Sequence, residues 1–404
     1  MHDVNFIVRE PLLDAQERVL GFEFSWQGRG RAAGHISDAD AGALADFVTD
    51  RITSGESSVL LDSRLLFLEA SSAMLKSEAY FRLPPHGKVL ALRVEDLCDL
   101  ETVMAVRSLS VQDYGVALRG AHADTVDKGQ LYLFSHIEIS VDAPDLEAQL
   151  EIYRTHCEPS VRMVARGVDS WDQYQRATAL DMDVFGGKLA PSPRKREPGQ
   201  KLSPAQSMIL QLMDMVRQSA SVSQLEQILK RDAALSYRLL RYINSVGFGL
   251  GCEIQSLRHA VTMMGYSPLY RWLAVLLASS SSNGYSPFLM QTAIIRGRFA
   301  ELLGEGFLPK GEAENLFVAG MFSLLDQLLG IPMEEVLEKI QLSDAVAEAL
   351  ISKGGIYGPF VALAEACEQN TTDVEAMATN LCISADQVND AHMTALAWAH
   401  SIKI

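Results

Sequence analysis

The sequence predicts two folds in one chain, an α/β barrel followed by an all-α domain, and three observations carry that prediction. Short apolar runs alternate with helical stretches throughout residues 1–190. A segment rich in proline, glycine and basic residues, GGKLAPSPRKREPGQKLSP from Gly186 to Pro204, then interrupts the pattern. Beyond it, capping residues, prolines and glycines punctuate a chain whose apolar residues fall three or four apart. The expected organisation is a barrel over 1–190, a Pro/basic linker over 191–203 and a helical domain over 204–404.

In order, Val4–Arg9 and Val19–Ser25 read as strands flanking a PLLDAQ turn region, an atypical hairpin start for a simple barrel. The runs VLL, LLFL, VLALRV, GVAL, HIEIS and VRMVA follow, recurring between helical stretches. Strand and helix taking turns this often implies a largely parallel sheet, and about eight such runs close economically as a (β/α) TIM-type barrel. GRGR at Gly28–Arg31 could cradle a phosphate, but it matches no P-loop or dinucleotide fingerprint and reads as a loop.

The late phrase MVARGVDSWDQYQRATALDMDVFGGKLAP and the early phrase VLGFEFSW make this half resemble the EAL domain, a barrel phosphodiesterase that hydrolyses cyclic di-GMP. In that resemblance Glu23 takes the position of the motif glutamate. The family's chemistry implies metal ions held by a cluster of carboxylates, with an asparagine and a lysine, on the C-terminal rim of the barrel. Most of that set is replaced. Glu69 stands for the asparagine, Leu92 for a glutamate, Arg119 and Gly120 for paired aspartates, Glu138 for the lysine, Arg166 for a second glutamate and Gly186 for a glutamine. Glu23 and Glu95 remain as a vestigial pocket, and Arg119 and Arg166 are candidate phosphate contacts. Glu23 can be read either as a strand carboxylate satisfied by nearby donors or as a remnant of ligand binding.

Proline keeps the linker extended, and its Arg-Lys-Arg run keeps it hydrated. After it, Ser223 with Glu226 has the spacing of a capping box, and Asp232 can cap a helix from Ala233. That helix carries a core stripe of Leu235, Leu239, Tyr242 and Val246, with Arg238 and Arg241 facing solvent, and Gly247, Gly249 and Gly251 stop it. Ser256 caps the next helix, which ends at Gly265, and Ser267-Pro268 opens another. Ser286-Pro287 opens a further helix, one ends at Leu329 before Gly330 and Pro332, and Ser384 with Gln387 caps the last; ten or so helices are expected.

The phrases DAALSYRLLRYINSVGFG, SLRHAVTMMG and RWLAVLL, in that order, resemble the HDOD domain, a helical relative of the HD hydrolases. That resemblance implies an interaction or signalling module without hydrolase chemistry. Active HD relatives place His-Asp where this chain has Ser323 and Leu324, and a histidine ligand where it has Arg296; Asp326 survives nearby. His259, His392 and His400 have no partner at metal-ligand spacing, and no GxSxG marks a nucleophile.

The formal net charge of −16 opposes sequence-independent binding to nucleic acid or an anionic membrane. No apolar run approaches the length of a membrane span and no signal core precedes Glu10, so the expected location is the cytoplasm. Five widely spaced cysteines without a CxxC pair argue against a disulfide framework and for buried free thiols. The expected function is a non-catalytic bacterial signalling scaffold related to cyclic di-GMP signalling, with no catalytic residues, metal or cofactor, binding a protein partner through the HDOD domain. The alternatives are a cyclic di-GMP or other nucleotide sensor that binds without hydrolysis and, last, an active phosphodiesterase.

Overall fold

The computed structural model describes residues 5–27, 37–53, 64–76, 83–98, 100–192, 202–244, 254, 256–279, 286–340, 342–369 and 373–401. The GRGR motif, the VLL run, the glycine stop at 247–251, Val246 and most of the linker lie outside these residues. Contacts divide the chain into two units, Met1–Pro193 with Ala366–Glu375, and Arg194–Glu365 with Ala376–Ile404.

Eight strands close the first unit into the expected barrel: β1 Phe6–Leu13, β2 Val19–Gln27, β3 Leu65–Glu69, β4 Lys88–Arg93, β5 Gly115–Arg119, β6 His136–Ser140, β7 Arg162–Arg166 and β8 Val184–Gly186. The strand β1 runs antiparallel to both β2 and β8, and every other neighbour pair is parallel. The hairpin start therefore supplies a full staple. Pro11–Leu13, read from sequence as turn, are strand; the turn begins at Asp14, whose Oδ1 accepts from Gln16 N at 2.8 Å and Arg18 N at 2.9 Å. Four helices described in this unit, α1 Asp38–Thr53, α2 Leu100–Val111, α3 Leu146–His156 and α4 Trp171–Ala179, follow strands in the crossover pattern. From α4, the Tyr174 hydroxyl donates to Asp14 O at 2.6 Å and accepts from Glu17 N, which fixes the hairpin.

Side chains alternate across each strand, so one set of every-other residues fills the barrel. That set begins apolar, with Phe67, Val89, Ala91, Ala117, Val164 and Val184 in one buried cluster. Two residues further along the same face come Glu69, Arg93, Arg119 and Arg166. The barrel is thus filled with hydrocarbon and floors a charged layer at the C-terminal ends of its parallel strands.

Beyond the barrel the chain is helical, and thirteen helices are described from Pro204 to Ser401, most of them wholly within the second unit. The first, α5 Pro204–Arg217, carries a capping box between Ser203 and Gln206. The next, α6 Val222–Leu229, is capped by Ser221 with Gln224 and not by Ser223 with Glu226. The two candidate boxes overlap by two residues, and Glu226 instead pairs with Lys230 and Arg258. Helix α7 Ala233–Ile243 starts as expected, with Asp232 Oδ1 accepting from Leu235 N at 2.9 Å, and Leu235 and Leu239 are buried while Tyr242 is half-buried. Helix α8 Leu257–Met264 is capped by Ser256 and ends at Gly265 with φ +75°, and α9 Tyr266–Ser279 holds Pro268 in its first turn.

The centre of this unit is α10 Pro287–Gly304, capped by Ser286 and buried on nearly every side. It crosses α11 Lys310–Phe322 so closely that a Cβ on Gly320 would meet Arg296 O at 2.8 Å and one on Gly297 would meet Phe317 O at 2.7 Å. Glycine permits that approach. Helix α12 Leu325–Leu329 ends at Gly330 in the left-handed conformation; α13 Met333–Lys339, α14 Asp344–Ser352, α15 Gly358–Gln369 and α16 Val374–Asn380 lead to α17 Ala385–Ser401, capped by Ser384 and Gln387. No described helix is long and apolar enough to cross a membrane. Cysteine usage departs from expectation: Cys367 is buried, but Cys157 is half-buried and Cys382 exposed on a left-handed turn residue with φ +56°.

Candidate functional site

The charged layer of the barrel is one connected ion cluster. Arg119 from β5 grips Glu138 of β6 with two bonds, Nε to Oε2 at 2.7 Å and Nη2 to Oε1 at 2.9 Å, and gives Glu23 of β2 a third at 2.7 Å. Arg166 from β7 donates to the other oxygen of Glu23 at 2.5 Å, pairs with Glu10 of β1 at 3.2 Å and reaches Glu138 at 3.6 Å. Arg93 of β4 holds Glu69 of β3 at 3.2 Å, and Glu69 lies 3.8 Å from Arg119. Four carboxylates against three guanidiniums leave a formal charge of −1. Glu23 and Glu138 are only 6% and 3% exposed, and a carboxylate buried so deeply is costly unless it is paired, as both are here by arginines.

The electrostatics follow from burial and pairing. Burial pushes the Glu23 carboxyl up, but the Arg119 and Arg166 guanidiniums, with their hydrogen bonds, outweigh it and hold Glu23 below the ordinary carboxylate value. Glu10 goes the other way: burial raises it, Arg166 only partly compensates, and Glu23 and Glu138 add repulsion. Its buried Oε1 has an ion pair but no hydrogen bond. Both arginines are pushed above their usual value, because the surrounding carboxylates overcome the cost of burying a cation. Beneath the layer, His136 packs edge-on against Phe67 at 5.1 Å, and burial, with Arg162 nearby, lowers it to about 4.

A cavity of about 480 Å³ opens over this layer, lined by Arg93, Arg119, His122, Glu138, Gln149 and Arg166 among others. Its rim is fixed by Asp145, which takes His122 Nε2 and Gln149 Nε2 at 2.8 Å each. A cavity of that size is in the range of small-molecule sites.

Of the residues singled out in the sequence, the structure brings Glu23, Arg119 and Arg166 into direct contact. Glu95 is corrected: it lies exposed on the 3₁₀ turn Val94–Cys98 and takes no part in the described ion pairs. Arg119 and Arg166, expected as phosphate contacts, direct part of their donors at carboxylates, Nε and Nη2 of Arg119 and Nη1 of Arg166. Sequence reading missed Glu10, Arg93 and the function of Gly186, where a Cβ would meet Arg166 Nη1 at 2.8 Å and Glu10 Oε1 at 3.2 Å. The alternation of β1 and β4 held the signal for Glu10 and Arg93. Gly186 needed the closure of β8 on β1.

The residues present do not fit the metal ions that the EAL resemblance implies. A cation beside Glu23 would face two guanidiniums, and both oxygens of Glu23 and of Glu138 already accept from them. Among the described residues no three His, Cys, Asp or Glu side chains converge as a metal-binding group.

In the helical unit, the positions compared with HD ligands also meet. Arg296 is 2% exposed, and its Nη1 donates to Ser323 Oγ at 2.7 Å and to Glu365 Oε1 at 3.0 Å. Ser323 Oγ donates to Gly320 O, Lys353 Nζ joins Glu365 at 2.6 Å, and Leu324 is buried. Glu365 and Lys353 were not singled out in the sequence. His259 is exposed, His392 is buried and stacked 4.6 Å from Phe299, and His400 is half-buried.

Residues 202–344 match the HDOD domain. Over 98% of its length the chain is 25% identical to "Cyclic di-GMP phosphodiesterase CdgJ" of Vibrio cholerae, covering 93% of that protein. It is 23% identical, over 98% of both chains, to "Uncharacterized protein YuxH" of Bacillus subtilis. Among solved structures, the PaMucR phosphodiesterase in its c-di-GMP complex covers 46% of this chain and 90% of its own, with 15% identity and a TM-score of 0.37.

Proposed function

With residues 202–344 an HDOD domain, we propose that this chain is a non-catalytic component of cyclic di-GMP signalling that acts by binding a protein partner through its helical half. One observation carries the reading: Glu23, the carboxylate in the position of the EAL motif glutamate, is capped on one oxygen by Arg119 and on the other by Arg166. Phosphodiester hydrolysis of the EAL kind needs carboxylate lone pairs free to hold metal ions that polarise the phosphate and activate water. Here those lone pairs hold guanidiniums. The relative named a phosphodiesterase is 25% identical, and its name sets the substrate to test.

The test is cyclic di-GMP turnover by the purified full chain with magnesium or manganese. The expected result is no turnover. Turnover that disappears in Glu23→Gln, with the fold retained by circular dichroism, would overturn the proposal. The cavity of about 480 Å³ over the cluster favours a second reading, a sensor that binds the nucleotide without cleaving it. Arg93, Arg119 and Arg166 offer cations to phosphates, whereas Glu69 and Glu138 oppose a dianion. Calorimetric titration of cyclic di-GMP into the same protein separates the two: heat of binding without turnover selects the sensor.

A further inference from the structure

We propose that the exposed face of helix α7, Ala233–Ile243, is the docking surface of the helical half, and that it takes an acidic segment of a partner protein. The proposal rests on the reading above that this half acts by interaction, and it adds where and with what. The chain is acidic overall, at −16, yet Lys230, Arg231, Arg238 and Arg241 fall within twelve residues that hold a single acid, Asp232. That acid is spent as the helix cap. Lys230 is neutralised by Glu226, which also takes Arg258. Arg231, Arg238 and Arg241 are exposed, and among the described residues no carboxylate pairs with them.

Helical spacing puts Tyr237, Arg238 and Arg241 on one face, opposite the buried Leu235, Leu239 and Ile243. Tyr237 is 66% exposed, a large amphipathic ring set beside two cations. The buried stripe holds the backbone still, so the face is preorganised. Tyrosine and arginine are the side chains that most often anchor protein interfaces, and guanidinium groups recognise carboxylates in a planar, bidentate way. Charge complementarity selects an acidic occupant. The short span of the patch and the negative charge of the rest of the chain select a short acidic segment over a nucleic acid, whose phosphates would run on past the patch into repulsion.

The experiment titrates full-length protein into a fluorescent glutamate-rich peptide and, separately, into an oligouridylate of matched length, following anisotropy. The expected result is peptide binding that weakens with added salt and falls about tenfold in Arg238→Glu/Arg241→Glu. Tyr237→Ala weakens it as well, and Arg107→Glu, an exposed arginine elsewhere, leaves it unchanged. Absence of peptide binding, indifference to the double reversal, or tighter binding of the oligouridylate would each overturn the proposal. So would self-association of the wild type that the same reversal abolishes, since a second copy would then be the occupant. Turnover of cyclic di-GMP by a protein whose α7 face still binds the peptide would sink the earlier reading and leave this one standing.

Discussion

The barrel and the helical unit each place arginine where a relative's metal ligands are expected, but they do so by different physics. In the barrel, ligand positions are refilled with charge: Glu69, Glu138, Arg119 and Arg166 join the retained Glu23, and a cavity stays open above them. In the helical unit, Arg296 is sealed against Ser323 and Glu365, beside buried Leu324. A charged floor under an open cavity can still respond to an anion or to pH. Among the described residues the Arg296 cluster has no such opening above it, and a cavity of about 410 Å³ in the helical unit is lined by other residues, among them Leu210, Met213 and Tyr270. The comparison sets a charged cluster that floors an open cavity against an arginine buried in a helical core.

The sharpest way to break that comparison is to remove one arginine from each unit. Arg119→Met deprives Glu23, Glu69 and Glu138 of a shared cation and leaves four buried or half-buried carboxylates with two guanidiniums. Breaking such a buried network costs about 3–5 kcal/mol. Arg296→Met leaves Glu365 still paired with Lys353 at 2.6 Å, so its cost is about 1–3 kcal/mol. Hydrogen exchange read by mass spectrometry reports each unit separately, with barrel peptides responding to the first variant and α10–α11 peptides to the second. Equal losses in the two units would mean that the barrel cluster is no more than a set of independent pairs.

A second test sharpens the barrel side by pH. His136 titrates near its ordinary value of 6.5 in the unfolded chain but at about 4 in the fold, so below pH 6.5 the unfolded state binds a proton that the native state refuses. Its contribution is therefore present above pH 6.5 and is lost as pH falls towards about 4, by up to about 3 kcal/mol. Glu23, held below its ordinary value of 4.5, adds its own loss only at still lower pH. Urea denaturation of the barrel from pH 7 to pH 4.5 should show this slope in wild type and lose it in His136→Gln. A slope unchanged by the substitution would assign the acid sensitivity elsewhere.

Much of this was legible in the sequence, for reasons that name its limits. The barrel was readable because strands such as Lys88–Arg93 and Gly115–Arg119 are short, apolar and evenly spaced. Arg119 and Arg166 stood out as residues of the wrong charge for the chemistry that the resemblance implied, and Glu23 as a motif carboxylate that is kept. Their mutual contact was not readable, because it joins β2, β5 and β7 across a barrel whose closure no local pattern records. Glu10 was hidden for the same reason, and Glu95 misled because an acid near a strand end says nothing about which way the next turn points. The capping box at Ser221 was displaced to Ser223 because both satisfy the same four-residue rule, and only packing of Leu225, Ile228 and Leu229 selects between them.

The smallest predicted effect, and the one that best separates two glutamates on the same arginine, concerns Glu10. Glu10 and Glu23 both pair with Arg166 Nη1, at 3.2 Å and 2.5 Å, yet they are shifted in opposite directions. A carboxyl raised above its ordinary value is one whose ionised form the fold disfavours, so at neutral pH the Glu10 charge works against the native state, and its contribution improves only as pH falls through the folded value. Glu10→Gln removes that charge, brings the cluster from −1 to neutral and keeps the side chain's shape. It is expected to leave the barrel as stable as wild type or slightly more so at pH 7, with the advantage shrinking on acidification, whereas Glu23→Gln destabilises it at pH 7. Guanidinium-induced unfolding would be blurred by salt screening, so urea at low ionic strength is the appropriate measurement. If Glu10→Gln proves as damaging as Glu23→Gln, the two carboxylates are equivalent anchors of Arg166, and the cluster needs its excess negative charge for a reason other than holding the arginines in place.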